Sequence, residues 1–233
     1  MSHLLHLMQS SRPVLIVSLP ANSVDQALAA EAAGADAIKV HINVTHHATG
    51  VTFGSLEQER PALEAILRAV KIPVGLVPGE DIRIDLDTYR QIAEMGFALV
   101  DAYAHVTPAS FQGLEGLDLW VAADSKYGLA ETAALARLPW VDAIEAAVIP
   151  TGEYGQLLSQ RDLATYLLLA EALEKPFVVP SQRRLRVEDV PALLAVGAKN
   201  IMIGAVVTGK EVKGIEQGTR DFRLALDSGY RHL

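Results

Sequence analysis

The sequence predicts an α/β protein, a single (βα)8 TIM barrel with eight parallel strands inside an outer ring of helices. Three observations carry this. Eight apolar runs of strand length follow one another, each introduced by a Gly or Pro. Between most of them lies an apolar stripe at helix spacing, with an identifiable start. The 233 residues are close to the roughly 250 typical of this barrel, so one domain spanning 1–233 is expected.

In chain order, the runs cover residues 14–18 after Pro13, 37–42 after Gly34, 74–77 after Pro73 and 98–103 after Gly96. The remaining four cover 119–123 after Gly116, 141–147 after Pro139, 177–180 after Pro176 and 201–203 after Gly197. Ser23 with Gln26, Ser55 with Gln58 and Ser159 with Asp162 have the spacing of helix-capping pairs. Leu63, Ile66, Leu67 and Val70 make one helical stripe, and Leu163, Tyr166, Leu167, Ala170 and Leu173 a second. Phe222, Leu224 and Leu226 are assigned to the last helix. The fourth connection is the weak one, because Thr107-Pro108-Ala109-Ser110-Phe111-Gln112 offers little more than a turn. An open doubly wound sheet is the competing architecture, but Ser18-Leu19-Pro20-Ala21-Asn22 stands where it would often carry a Gly-x-Gly-x-x-Gly turn.

Half the residues are hydrophobic, enough for a large core, and the apolar runs are too short to span a bilayer. Cysteine is absent, which excludes a disulfide framework and thiolate chemistry. With a first octet lacking a basic segment ahead of a long apolar stretch, a cytoplasmic protein without a secretory signal is expected. Twenty basic against 28 acidic residues give a net charge of −8, which argues against nucleic acid as partner despite the cluster Arg183, Arg184 and Arg186. No membrane partner is expected, and a homo-oligomer is compatible with the sequence.

Alternate residues of a barrel strand face the lumen, and those at the C-terminal ends reach the active-site mouth. In the second strand, Ile38, Val40 and Ile42 take the even positions, so Lys39, His41 and Asn43 point inward. Leu99, Asp101, Tyr103 and His105 share one face of the fourth strand, and Ala143, Glu145 and Ala147 one face of the sixth. Lys39, Asp101 and Glu145 are therefore the candidate catalytic residues, with His41, Asn43, Tyr103 and His105 as substrate contacts. Such a set could also be an ion pair that merely closes the barrel. Each buried ion costs several kcal/mol of hydration, however, and keeping them at the functional end favours chemistry. Burial is expected to lower a lysine pKa and raise a carboxylate pKa, bringing both towards neutrality.

Asp124 and Lys126 follow the fifth strand and are candidate substrate contacts at the same rim; Lys126 is equally readable as a solvated loop charge. After the seventh strand come Ser181, Gln182 and Arg183, and the eighth ends on Gly204-Ala205. Guanidinium matches phosphate geometry, and a glycine lets backbone approach an anion. His41, His46, His47 and His105 invite a metal reading, but no metal-ligand spacing supports it, so neither metal nor cofactor is expected. The stretch containing His46, His47, Gly50 and Gly54 reads instead as a loop over the mouth.

Three segments carry a resemblance to a known group: Gly34-Ala35-Asp36-Ala37-Ile38, Ile72-Pro73-Val74-Gly75-Leu76-Val77-Pro78-Gly79, and the stretch from Gly197 to Gly209. They are similar to the ribulose-phosphate-binding class of barrels, which holds tryptophan-pathway barrels, sugar-phosphate epimerases and geranylgeranylglyceryl phosphate synthase. The resemblance implies phosphate binding by the loops after strands seven and eight, here Ser181, Gln182, Arg183, Gly204 and Ala205. Many such barrels carry a Gly-Gly pair after strand seven, where this chain has Pro180-Ser181-Gln182-Arg183-Arg184.

The expectation is an enzyme acting on a small phosphorylated carbonyl metabolite, as an isomerase, epimerase or lyase using lysine and carboxylate acid-base chemistry. The alternatives are a Schiff-base, aldolase-type lyase using Lys39 or Lys126, and a ligand-binding barrel without catalysis.

Overall fold

The computed structural model describes residues 2–46, 50–80 and 83–230. Its centre is a closed barrel of eight parallel strands, each paired with its sequence neighbours and the last with the first. The strands are β1 (Val14–Ser18), β2 (Ala37–His41), β3 (Val74–Val77), β4 (Leu99–Tyr103), β5 (Asp118–Asp124), β6 (Ala143–Ala147), β7 (Phe177–Pro180) and β8 (Asn200–Ile203). Around them lie α2 (Val24–Ala32), α3 (Leu56–Ala69), α4 (Leu86–Met95), α5 (Leu129–Arg137), α6 (Gln160–Ala172), α7 (Val190–Ala195), the single turn α8 (Ala205–Thr208) and α9 (Val212–Tyr230).

The alternation read from the sequence sorts the strand residues into two environments. Val17, Val40, Val100 and Ile144 join the large apolar cluster under the helices. Ile16, Leu99, Trp120, Val178 and Met202 form a second cluster inside the barrel. That inner floor is closed from below by α1 (His3–Gln9), which inserts Leu4, Leu5 and Met8, all buried. The sequence reading gave these first residues no structural role. A short amphipathic segment has no intrinsic reason to be helical in water, and α1 gains its stability from the apolar floor it covers.

Two glycines are required by their surroundings, one at the inner floor and one in the helix layer. Gly75 lies in the lumen beside Leu99, where an added Cβ would stand 2.7 Å from Leu99 Cδ1. Gly197 adopts a left-handed φ of +81° at the end of α7, and a Cβ there would also lie 2.9 Å from Ala170 Cβ. Both conditions select glycine.

The capping signals are realised. Ser23 Oγ accepts from Gln26 N–H, and Ser55 with Gln58 and Ser159 with Asp162 complete reciprocal capping boxes. Two stripe assignments are corrected: Leu167 is 41% exposed and Leu224 61% exposed. Leu224 stands two residues from both Phe222 and Leu226, which are buried, and at 100° per residue it points away from them. On α6 the buried positions are Asp162, Tyr166 and Leu169.

No helix joins β4 to β5 among these elements; residues 104–117 cross in turns. Phe111 fills part of the gap by stacking on Tyr89 of α4, with ring centroids 3.9 Å apart. The second strand also ends one residue earlier than expected, because Asn43 turns to a φ of +53°.

Candidate active site

At the C-terminal ends of the strands the barrel opens into a cavity of about 790 Å³, measured out to its open mouth. Lys39 reaches across the lumen from β2. Its Nζ lies 2.9 Å from Asp101 Oδ2 of β4 and 2.6 Å from Glu145 Oε2 of β6. The strand register explains the reach. Lys39 stands beside Gly75 and Glu145 beside Ala122, so small neighbours leave the centre of the lumen to the charged groups. All three residues are buried and line the cavity.

Burial pushes the Lys39 ammonium towards neutrality, as the sequence reading expected, but the charges of Asp101 and Glu145 outweigh it. Its pKa is raised above the usual lysine value, which corrects the expectation of a lysine poised near neutrality. The two carboxyl groups diverge. Burial acts to raise Asp101, but the Lys39 charge holds it below the ordinary aspartate value. Glu145 is raised well above the glutamate value by burial and by the Asp101 charge, against the opposing pull of Lys39. Asp101 Oδ1 is buried with no hydrogen-bond partner among the described residues.

His41 occupies the next inward position of β2. Burial, then the Lys39 charge, hold its pKa well below the ordinary value, so the ring is neutral. Its Nε2 is 3.4 Å from Ser18 Oγ, and its buried Nδ1 has no partner among the described residues. Phe53 flanks the ring, with centroids 5.0 Å apart.

The loop after β6 closes over the opposite wall and is fastened to the loop after β7. Ile149 N–H donates to Gln182 Oε1 at 3.0 Å, which fixes the amide so that Nε2 donates to the Tyr154 hydroxyl at 2.6 Å. Gly155 N–H donates to Gln182 O, and Arg184 N–H to Gln156 O. Arg183 binds beneath this loop, to Asp162 through Nε and Nη2 and to Glu153 Oε2 at 2.5 Å. Tyr154 consequently lines the cavity. Burial pushes its phenol up to about 12, with the Glu145 charge contributing and the Gln182 bond opposing.

Of the expected substrate contacts, His41 and Tyr103 line the cavity. Asn43 instead donates from Nδ2 to Pro78 O at 3.1 Å, tying β2 to the loop after β3. His105 is exposed and lies 3.2 Å from the Tyr127 hydroxyl. Asp124 accepts from Lys126 N–H in the rim turn, and the Lys126 side chain is exposed. Of the expected phosphate contacts, Ser181, Gln182, Gly204 and Ala205 line the cavity, while the Arg183 guanidinium is turned to its carboxylates. Ser181 Oγ accepts from Gly204 N–H at 2.8 Å.

Sequence reasoning passed over Ser18, Glu80 and Tyr154, which also line the cavity. Ser18 was within reach of the same alternation, as the last residue of β1 on the Ile16 face. Tyr154 carried a signal too, between glycines in the loop after the strand bearing Glu145. Among the described residues no group of three or more His, Asp or Glu side chains is arranged to hold a metal ion, and His47 lies outside them. No helix among them is long and apolar enough to cross a membrane.

A closed parallel barrel with an inward charged cluster at its strand ends has the architecture of (βα)8 enzymes, whose sites lie at that face. No protein-family model matches the sequence, and no curated protein matches it. Solved structures do match in fold. A tryptophan synthase from M. tuberculosis is 16% identical, with 97% of this chain and 98% of that chain covered at a TM-score of 0.69. A phosphoribosyl anthranilate isomerase from Thermus thermophilus is 16% identical, with coverages of 92% and 98% and a TM-score of 0.64. A thiamine phosphate pyrophosphorylase from Pyrococcus furiosus is 13% identical, with coverages of 94% and 97% and a TM-score of 0.64. These likenesses, at 16% identity or less, show a shared (βα)8 barrel fold.

Proposed function

We propose that this barrel is an enzyme acting on a small phosphorylated carbonyl compound, moving a proton next to the carbonyl group as an isomerase, epimerase or lyase does. The observation that carries this reading is the ion cluster of Lys39, Asp101 and Glu145 at the base of an open cavity. A cluster serving stability alone could be replaced by apolar packing at little or no cost. Here it borders empty space in which a ligand would meet it. The ammonium of Lys39 would stabilise negative charge developing on a carbonyl oxygen, and a carboxyl group would carry the proton.

Two of the structures similar in fold are named for phosphorylated compounds, thiamine phosphate and phosphoribosyl anthranilate. In this reading the phosphate would sit against the wall of Ser181, Gly204 and Ala205, which line the cavity. Position 204 has no side chain, so backbone forms that part of the cavity. With Arg183 engaged elsewhere, this phosphate site would depend on backbone and hydroxyl groups. Lys39 held as an ammonium by its two carboxyl partners does not favour the Schiff-base route, which requires the neutral amine.

The test is incubation of the protein in deuterated water with a panel of aldose and ketose phosphates, followed by proton NMR. Exchange of the hydrogen next to the carbonyl, abolished by Lys39→Met, is expected for at least one compound. Binding without exchange across the panel would make the barrel a binding protein.

A further inference from the structure

Two buried carboxyl groups converge on one buried ammonium. Asp101 Oδ2 and Glu145 Oε2 each bond the same Lys39 Nζ, so they are no further apart than those two bonds laid end to end. The neighbouring strands offer no further charge to this point: β5 contributes Trp120 and Ala122, and β7 contributes Val178 and Pro180. The other titratable groups lining the cavity are His41 of β2, Tyr103 of β4, His46, Glu80 and Tyr154. With both carboxyl groups ionised, the cluster would bury one uncompensated negative charge and leave Asp101 Oδ1 without a donor. Like charges held this close share a proton instead.

We propose that the resting protein carries this proton on Glu145, which makes Glu145 the acid and Asp101 the base of the site. The choice between the two follows from their surroundings. Glu145, at 8% exposure against 2% for Asp101, stands nearer the open cavity, and a proton on its carboxyl group can be donated to the adjacent Asp101 carboxylate, whose Oδ1 lacks a donor. The direction in which each group's acidity is displaced agrees with this order.

The assignment rests on the carbonyl reading above and sharpens it. Lys39 Nζ–H and Glu145 O–H become two donors for one ligand oxygen, and Asp101 takes the proton from the adjacent carbon. The electrons of that C–H bond become the new C=C bond. The carbonyl π pair forms an O–H bond with the Glu145 proton, leaving Asp101 protonated and Glu145 ionised. The product of this step is a neutral enol or enediol, and the ligand class is a carbonyl compound with a hydrogen on the adjacent carbon.

The test needs no ligand. Protein labelled with 13C at glutamate side-chain carboxyl carbons is followed by NMR from pH 5 to pH 10. One glutamate resonance is expected to keep its protonated position at pH 7 and to be missing from Glu145→Gln. If every glutamate is ionised at pH 7, or if the protonated resonance survives in Glu145→Gln, the proposal is overturned. A protonated aspartate in protein labelled at aspartate carboxyl carbons, missing from Asp101→Asn, would reverse the assignment. Should Glu145→Gln not fold, Glu145→Asp must move or remove the same resonance. A protonated Glu145 in a protein that exchanges no hydrogen on any carbonyl compound would sink the enzymatic reading alone.

Discussion

Arg183 and Asp162 share two parallel hydrogen bonds, Nε to Oδ2 and Nη2 to Oδ1, each 3.0 Å long. The fork ties the first residues after β7 to the first turn of α6, where Asp162 also completes the capping box with Ser159. A residue expected to meet phosphate from the sequence instead fastens the loop that carries Tyr154 into the cavity.

Arg183→Gln is therefore expected to cost stability, by about 2 kcal/mol, between the values for exposed and for fully buried pairs. Urea unfolding measures it. A variant of unchanged stability that has lost affinity for inorganic phosphate would return Arg183 to the anion site.

Acid should act on the same contact. Burial opposes ionisation of Asp162, but its hydrogen bonds to Arg183 and Ser159 hold the pKa below the ordinary 3.8. A lowered folded pKa contributes stability that is present above the unfolded pKa and lost as pH falls through the folded one. The stability gap between the natural protein and Asp162→Asn should be constant from pH 7 to about pH 5 and shrink below about pH 4. A gap independent of pH down to pH 2 would contradict this.

Lys39→Met retains much of the side-chain volume and removes the charge. Turnover of a substrate found by deuterium exchange should fall by about 10²- to 10⁴-fold while the circular-dichroism spectrum is kept. Borohydride treatment with that substrate should leave no reduced adduct on Lys39 by mass spectrometry. An adduct there would replace acid-base chemistry with the Schiff-base route.

Gly204 has an extended backbone, so a side chain introduces no conformational strain. A Cβ would lie 3.4 Å from Ser18 Cβ, an ordinary contact, and larger branches would fill the cavity beside it. Gly204→Val should weaken a phosphorylated ligand by roughly tenfold or more, about 1.4 kcal/mol, and its dephosphorylated analogue far less. Equal weakening in calorimetric titration would place the phosphate elsewhere.

At the other end of the barrel, Leu4 and Met8 are fully buried against the inner floor. Met8→Ala should destabilise the fold by about 2–5 kcal/mol, with ligand affinity unchanged. A negligible shift in the thermal midpoint would show that α1 is dispensable.

The sequence by itself determined the barrel and the inward set. Eight short apolar runs behind Gly or Pro could be satisfied by strands, and a period of two then left no freedom over which side Lys39, Asp101 and Glu145 take. Capping pairs were equally local, since Ser55 and Gln58 interact within one helical turn. What the tertiary structure decided was every contact between residues far apart in the chain. It directed Arg183 to Asp162 and Glu153, brought Tyr154 onto Gln182, and gave α1 the floor it covers. The sign of the Lys39 shift was of the same kind. Burial alone predicts a depressed lysine, and only the distances to Asp101 and Glu145 show that two nearby charges outweigh it. Periodicity reports the face on which a side chain lies; the distance and charge of its partners depend on how separate strands and loops converge in space.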